Sequence, residues 1–489
     1  MKKLLVFAVV LALLVPAAAF GATEFSLGGF IKLDAYWSSS QQYKNIYLAP
    51  ARNNDSSYHH GHMKFNAQGS RFSLTIKGPK LWGADVTGFL EMDFDPTPAP
   101  IANTSFTTSN SYTPRLRHAM FRFNWPTSEL LFGQYWSFMC EWYAESAEDG
   151  PMMMTGTPTH RFAQIRFTQK FMSDWTVAAL VGDPGQARLT GAATNAYSWP
   201  LVAGAPTPAY NNGESAESPQ VQGKISYAHD FYGKAAYYGK PTPLTVQFAG
   251  AWQRNVIRTN QYAVQTLGAN INGTGAVTEN NMVAGVATIG NQYVMPWCAM
   301  GTLFIPVIPT SSANLAGTAS ILTQWWIGQG VEAFGFAGIA GNLYKLVNNR
   351  NGVFDYDAYL LKKFGGMAQA QYYFNNQWFV NAVYGYAKAY GVNRSRFLRG
   401  AGQAGLNNME WAMADNAQTI QQANFTLWYR PIQAIKFGLQ YSYAQATYFQ
   451  YALPASSTGA GVYTPVANTT NRSNFGDEHR VEFVGFFYF

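Results

Sequence analysis

In the stretch HRVEFVGFFYF, residues 479–489, Val481, Phe483, Gly485, Phe487 and Phe489 hold one parity and Arg480, Glu482, Val484, Phe486 and Tyr488 the other. Successive side chains of an extended chain point to opposite faces, so this stretch predicts a strand with one wholly apolar face that stops on an aromatic residue. The same period of two recurs upstream. In residues 25–37, Phe25, Leu27, Gly29, Ile31, Leu33, Ala35 and Trp37 oppose Ser26, Lys32 and Asp34. In 84–94, Ala84, Val86, Gly88, Leu90, Met92 and Phe94 oppose Asp85, Thr87, Glu91 and Asp93. In 435–443, Ile435, Phe437, Leu439, Tyr441 and Tyr443 oppose Lys436, Gln440 and Ser442.

Strands of about ten residues with one apolar and one polar face are those of a transmembrane antiparallel up-and-down β-barrel. A soluble sandwich alternates too, but its outer face carries more charge. Here charged residues are 12% of 489, half the roughly 25% usual in soluble domains. Aromatics reach 16%, with 30 Tyr and 34 Phe, which excludes a disordered chain. Beyond the N-terminus no run approaches the ~18 apolar residues of a spanning helix. At the N-terminus, Lys2 and Lys3 precede the apolar run Leu4–Val15, then Pro16 and Ala17, Ala18 and Ala19. That order predicts a secretory signal peptide over residues 1–21, cleaved between Ala19 and Ala22, with residues 22–489 as the exported barrel. After cleavage 31 basic residues face 26 acidic ones, too small an excess over so long a chain for a nucleic-acid binder.

Connections alternate in length. Short turns are predicted at Gly78–Leu81, Pro126–Glu129, Met172–Asp174, Asn375–Gln377 and Pro431–Ala434. Long polar stretches fall near 38–60, 95–114, 137–160, 183–218, 255–295, 335–365, 391–417 and 449–476. Short periplasmic turns and long external loops are the rule for these barrels, so eight long loops predict about 16 strands. Eighteen is the alternative, because 231–243 and 296–320 are long, Pro-rich turns.

The stretches GGFIKLDAYW (28–37), SRFSLTIKGPKLWGADVTGFLEMDFD (70–95), LRHAMFRFNW (116–125), LLFGQYWSFM (130–139), QIRFTQKF (164–171) and GGMAQAQYYFNNQWFVNAVYGYA (365–387) together resemble the DcaP-like trimeric porins of Gram-negative bacteria. The resemblance implies a 16-stranded homotrimeric channel in the cell outer membrane, passing small, often anionic, organic solutes. Members of that family can carry an N-terminal coiled coil. Here a few residues separate the cleavage zone from the first strand, so a trimer is expected to form through barrel walls.

In such a channel the chemistry is lumen electrostatics. Parity turns Lys32, Arg71, Lys77, Arg122, Arg166 and Lys170 inward, against Asp34, Asp85, Glu91 and Asp93. Rings of Arg and Lys favour anions, so Lys32, Arg71, Arg122 and Arg166 are expected to form a basic wall. Arg115 and Arg117 share the parity of Ala119 and Phe121, which places them at the outer rim. Residues 137–160, with Glu141, Glu145, Glu148 and Asp149, occupy the place of the third external loop, which in porins folds inward; an acidic loop facing a basic wall would favour anionic or dipolar solutes. The competing expectation is that these charges merely hydrate a wide lumen and screen one another.

Trp37, Trp175, Trp378, Tyr384, Tyr386, Tyr441 and Tyr443 suit interfacial girdles. Only Phe89, Phe379 and Trp428 fall clearly on the inward parity, too few for a sugar track. Cys140 and Cys298 are expected as independent thiols, with a disulfide as the alternative. His59, His60 and His62 fall in the first external loop without a ligand set for a structural metal, and no cofactor is expected. No GxSxG, HExxH, GxxxxGK[ST] or CxxCH motif is present, so enzyme chemistry is not expected. Two alternatives stand beside the porin: a barrel-embedded lipase and a structural or adhesive barrel. Expected partners are outer-membrane lipid and lipopolysaccharide, the barrel-assembly machinery, small anionic solutes and further copies of the chain.

The terminal aromatic yields a prediction. If Phe489 is the assembly signal, its deletion will sharply lower the amount of barrel in the outer membrane while export to the periplasm continues. Cell fractionation reads both quantities, and normal outer-membrane levels would refute the role.

Overall fold

Hydrocarbon offers backbone amides no hydrogen-bond partner, so strands that cross it must pair all the way round. The computed structural model satisfies that demand. It describes residues 23–40, 48, 50, 52–53, 60–94, 114–153, 155–156, 158, 160–184, 218–263, 288–335, 343–348, 353–390, 417–448 and 474–489. The predicted signal peptide lies outside them.

Sixteen antiparallel strands form one closed sheet. They are β1 (Glu24–Ser38), β2 (His62–Asn66 continued by Arg71–Lys77), β3 (Asp85–Asp93), β4 (Arg115–Asn124), β5 (Ser128–Trp136), β6 (Arg161–Phe171), β7 (Trp175–Gly182) and β8 (Gln220–His229). The second half comprises β9 (Leu244–Trp252), β10 (Trp297–Ile308), β11 (Ala319–Gln329), β12 (Lys362–Tyr373), β13 (Trp378–Tyr390), β14 (Ala417–Ile432), β15 (Ile435–Tyr448) and β16 (Phe475–Tyr488). Each pairs with the next, and β16 returns to β1 in register from Phe30↔Tyr488 to Ser38↔Arg480. The two pieces of β2 pair with the two halves of β1. At the break Ser70 substitutes for the ladder, its Oγ accepting from the Lys32 amide at 3.0 Å.

The face assignment follows the parity. Ile31, Leu33, Trp37, Leu439, Tyr441, Val481, Phe483 and Phe487 are exposed on the outside, and Lys32, Asp34, Gln440, Ser442, Arg480 and Glu482 are buried inside. Trp175, Trp378 and Tyr384 also lie exposed on the outer surface. The outer surface therefore matches a hydrocarbon belt with aromatic borders.

Three local readings need correction. Residues 255–295 and 335–365, expected as loops, contain strands: 288–294, 255–263, 353–359 and 343–348 form a separate four-stranded sheet in that order. His62 opens β2 rather than lying in the loop, and packs edge-on against Tyr36. Arg115 and Arg117 are not rim residues. Glu91 pairs with His118 and Met92 with Leu116, so a β-bulge at Arg117 sets two β4 residues against one step of β3. A bulge shifts parity beyond it, and Arg117 and His118 are consecutively buried. Opposite this irregularity Gly133 adopts φ +121, and a Cβ there would lie 2.3 Å from the Ala119 carbonyl oxygen.

A charge on the lipid face tests the orientation. Leu439→Arg is expected to destabilise the barrel by about 2–4 kcal/mol near the bilayer midplane, read from urea unfolding out of lipid vesicles. An unchanged midpoint would place β15 outside hydrocarbon.

Candidate functional site

Residues 137–160 leave β5 at Ser137, whose side chain caps a 3-10 turn over Phe138–Cys140. Gln222 of β8 receives this start, its Oε1 accepting from Ser137 Oγ at 2.9 Å and Phe138 N at 3.0 Å. From there the segment meets inward side chains of nearly every strand on the far side. Gln324 of β11 donates to the Trp142 carbonyl at 2.7 Å. Gln369 of β12 accepts from Glu145 N at 2.7 Å, and Gln371 donates to its carboxylate at 2.8 Å. Gln422 and Asn424 of β14 both donate to Glu148 Oε1 at 3.0 Å. Gln440 of β15 accepts from Ser146 Oγ and Ala147 N. Amide side chains offer donor and acceptor together, so they bond an irregular backbone that carries both.

Each other acidic side chain of the segment meets a cation. Glu145 pairs with Lys436 of β15 at 2.9 Å, and that ammonium sits 4.0 Å above the Trp428 ring. Asp149 pairs with Lys32 at 2.7 Å, and Lys32 also pairs with Asp34 at 2.7 Å. Glu141 bridges Lys224 of β8 at 2.6 Å and Arg166 of β6 at 3.4 Å. Glu148 has the amides instead of a cation, and burial raises its carboxyl above the usual range. Lys32 is thus inward, as parity required, but it lies beneath the segment as an anchor, and Glu145 is buried on the segment itself as another.

The interior is unequal. The inward amides of β11–β15 are almost fully buried: Gln324, Gln369, Gln371, Asn381, Gln422, Asn424 and Gln440. On β2–β8, Arg71, Glu91, Arg122, Glu129, Tyr135 and Lys224 keep partial exposure, as do Glu141 and Tyr143 of the segment. Arg117 donates to Glu91 at 2.5 Å and Asp93 at 2.7 Å, while Arg115 grips Asp93 with two bonds of 2.8 and 2.7 Å. Arg122 lies two residues from the end of β4, paired with Glu129 at 3.2 Å. Arg166 lies over Phe138 at 4.4 Å. Arg71 stands 5.1 Å over the Phe30 ring, with Arg117, Glu91, Asp149 and Tyr143 as the nearest groups acting on its charge. Arg161 adds a further guanidinium near Arg117 and Arg115. Among the described residues of this half the cations Arg71, Arg115, Arg117, Arg122, Arg161, Arg166 and Lys224 stand with the carboxylates Glu91, Asp93, Glu129 and Glu141, Asp149 also acts on Arg71, and Lys77, Asp85 and Lys170 are exposed.

Parity along the first six strands exposed Arg71, Glu91, Asp93, Arg122 and Arg166. It missed Arg117, because a bulge leaves no mark in an alternation count. It set Lys436 and Gln440 on the polar face of 435–443 without giving them a role, and it missed Lys224 and the rest of the amide row, although Gln369, Gln371, Gln422 and Asn424 share inward parity and could have been found by extending the count past β6. Phe379 and Trp428 are inward but buried, Phe379 stacking on Tyr373 at 4.4 Å and on Trp428 at 6.0 Å between centroids, so they present no track. Cys140 and Cys298 are separate buried thiols; burial pushes Cys140 up to about 12, which keeps it protonated and unreactive.

A closed barrel with an apolar belt outside and charged, hydrogen-bonded matter inside has the architecture of the outer-membrane β-barrels. In fold it is similar to the outer membrane channel DcaP of Acinetobacter baumannii, with a TM-score of 0.59 and 13% identity over 96% of this chain and 97% of that one. It is also similar to the anion-selective porin from Comamonas acidovorans (TM-score 0.46, 11% identity, 96% and 100% covered) and to OmpT of Vibrio cholerae (0.46, 10%, 96% and 98%). No protein-family model matches the chain, and no curated protein matches its sequence. At such identities the likeness is one of fold.

The buried pair Glu145–Lys436 carries a stability prediction. Lys436→Met strands a carboxylate and is expected to cost about 3–5 kcal/mol, whereas Lys436→Met with Glu145→Leu recovers most of it. A double-mutant cycle in vesicle unfolding measures both, and additive losses would dissolve the pair as an anchor.

Proposed function

We propose that the chain is an outer-membrane porin through which small hydrophilic solutes, preferentially carboxylate anions, diffuse passively. The passage lies between the β2–β8 wall and residues 137–160, which act as the constriction. The observation that carries this reading is the cluster of Arg71, Arg115, Arg117, Arg122, Arg161, Arg166 and Lys224 on the half of the interior where Arg71, Arg115, Arg122, Arg161 and Lys224 keep partial exposure. Guanidinium groups held in a narrow passage offer carboxylates paired donors as well as charge, and Arg71, Arg122 and Arg161 each keep a guanidinium nitrogen without a hydrogen-bond partner among the described residues. Assembly as a homotrimer fits the same reading, as do both termini on the periplasmic side and cleavage of residues 1–21 on export.

One observation favours a second reading. The inward residues at the loop end of β6–β15 are largely apolar, with Phe162, Ala249, Ala251, Met300, Trp326, Ala387, Ile420 and Ala446 buried around Phe138, Met139 and Phe334. A structural barrel with a filled lumen would look like this on that side. Swelling of liposomes by small solutes separates the two readings, since a filled barrel would admit none.

The charge mechanism is tested by Arg71→Gln with Arg122→Gln in planar bilayers under a salt gradient. The reversal potential is expected to move towards cation preference, with slower passage of small dicarboxylates and little change for neutral sugars. The effect should shrink as salt rises, because exposed charges are screened over about 10 Å at 0.1 M. An unmoved reversal potential at low salt would leave a plain sieve.

A further inference from the structure

The connection between β8 and β9 is a second hairpin directed into the barrel. Where most short-end connections are tight turns, residues 230–243 form the strands Ala235–Tyr237 and Lys240–Thr242. Its base is tied to the β10–β11 turn by a reciprocal backbone pair, Lys234 N to Thr310 O at 2.9 Å and the reverse at 2.8 Å. Ser320, inward on β11, donates to the Ala236 carbonyl at 3.0 Å. Ala235 and Ala236 are wholly buried, the first in a cluster with Phe304 and Leu322, the second in one with Phe379 and Trp428. At the tip Gly239 takes φ +73, and a Cβ there would meet the Arg430 guanidinium at 2.8 Å.

This hairpin meets residues 142–144 coming from the opposite end. Tyr237 packs on Trp142 with centroids 4.7 Å apart, and Tyr238 lies edge-on to Tyr143 at 5.5 Å. The Tyr143 amide donates to Tyr237 Oη at 3.2 Å, and Tyr237 Oη donates to the Tyr143 carbonyl at 3.3 Å. Tyr238 Oη donates to the Ala144 carbonyl at 2.7 Å. Burial raises both hairpin phenols above their usual range, so the hydroxyls stay neutral and keep their protons to donate. From Glu145 onward the segment is fastened to the barrel wall, but these backbone groups of Tyr143 and Ala144 are fastened to the hairpin. Arg71, Arg117 and Glu91 also act electrostatically on the Tyr143 hydroxyl, and the residue keeps partial exposure.

We infer that the hairpin 235–242 is the positioning element of the constriction: Tyr237 and Tyr238, entering from the short-turn end, hold Tyr143 at its distance from the Arg71–Arg117 wall and so set the width of the passage. Three partly buried hydrogen bonds and two ring contacts concentrate on three consecutive segment residues, Trp142, Tyr143 and Ala144, and none of them is needed to close the barrel. The inference rests on the porin reading for its effect on conduction and is independent of it for its effect on the segment.

Two variants test it in the full-length barrel. Tyr237→Phe with Tyr238→Phe keeps both rings and removes the hydroxyls. Replacement of residues 235–242 by Gly-Gly removes the element. Amide exchange at 143–145 is expected to quicken by about tenfold or more in the first variant, as follows from losing more than one net hydrogen bond, while exchange in β14–β16 stays as in the parent. In planar bilayers the first variant should add sub-conductance fluctuation and the second a larger unit conductance. Parent-like exchange at 143–145 in the first variant overturns the inference, as does parent-like conductance in both when the parent conducts. A parent that passes no current refutes the porin reading instead, and the exchange result still decides whether the hairpin holds the segment. Should the Gly-Gly variant fail to fold, the double Phe variant carries the test.

Discussion

Everything described depends on the pairing of β1 with β16. That seam joins residues near opposite ends of the chain, Phe30 with Tyr488 and Ser38 with Arg480. Without it two rows of unpaired amides would face hydrocarbon, each costing several kcal/mol. Once the seam exists the two faces of every strand are defined at a stroke, because alternation leaves no third direction. The outer face may then be uniformly apolar and the inner face need not be. It follows that the chain's low charge content is a property of its belt, and that charges such as Lys32, Asp34, Arg117, Arg166, Lys436, Arg480 and Glu482 lie inside.

Inside, two kinds of polar matter do different work. The carboxylate–cation pairs of Glu141, Glu145 and Asp149 are few and specific, and each fixes one point of the segment 137–160. The amide row on β11–β15 is many and tolerant, bonding backbone groups wherever the segment presents them. A buried carboxylate without a partner is costly, and only Glu148 among the segment's acids relies on amides and a backbone N–H in place of a cation. The segment thereby covers the amide-lined wall, while on the arginine-rich one Arg71, Arg122 and Lys224 keep partial exposure. On the porin reading, that asymmetry gives the passage a charged side and a covered side.

How much of this could be read beforehand depended on the range of the interaction concerned. The strands, their faces and their number were legible because a period of two is a local property, visible in residues 25–37, 84–94 and 479–489 alone. The inward direction of Lys32, Arg71, Arg122 and Arg166 came from the same count. What escaped depends on partners far along the chain. That Lys32 serves Asp149, and that Glu145 serves Lys436, is fixed by three-dimensional placement across the lumen and has no local signature. Arg117 escaped for a different reason: a single extra residue in β4 inverts the parity of what precedes it, and only the pairing with β3 reveals it. The strands at 255–263 and 288–294 escaped because their residues do not alternate, having no membrane to demand it.

The anchoring of the central segment bears on the order in which the molecule comes into being. Glu145 and Lys436 are 291 positions apart, and Ser146 and Gln440 294. Contacts of such separation form late, after the intervening chain has found its place. The segment is made early, yet its seats on β12–β15 do not exist until the last strands are in the sheet. Until then four carboxylates wait beside a half-built wall. The interior is therefore completed by the same step that seals the cylinder, so a molecule arrested before its final hairpins has neither a closed wall nor a finished passage. Closure of the wall and the seating of the segment arrive together.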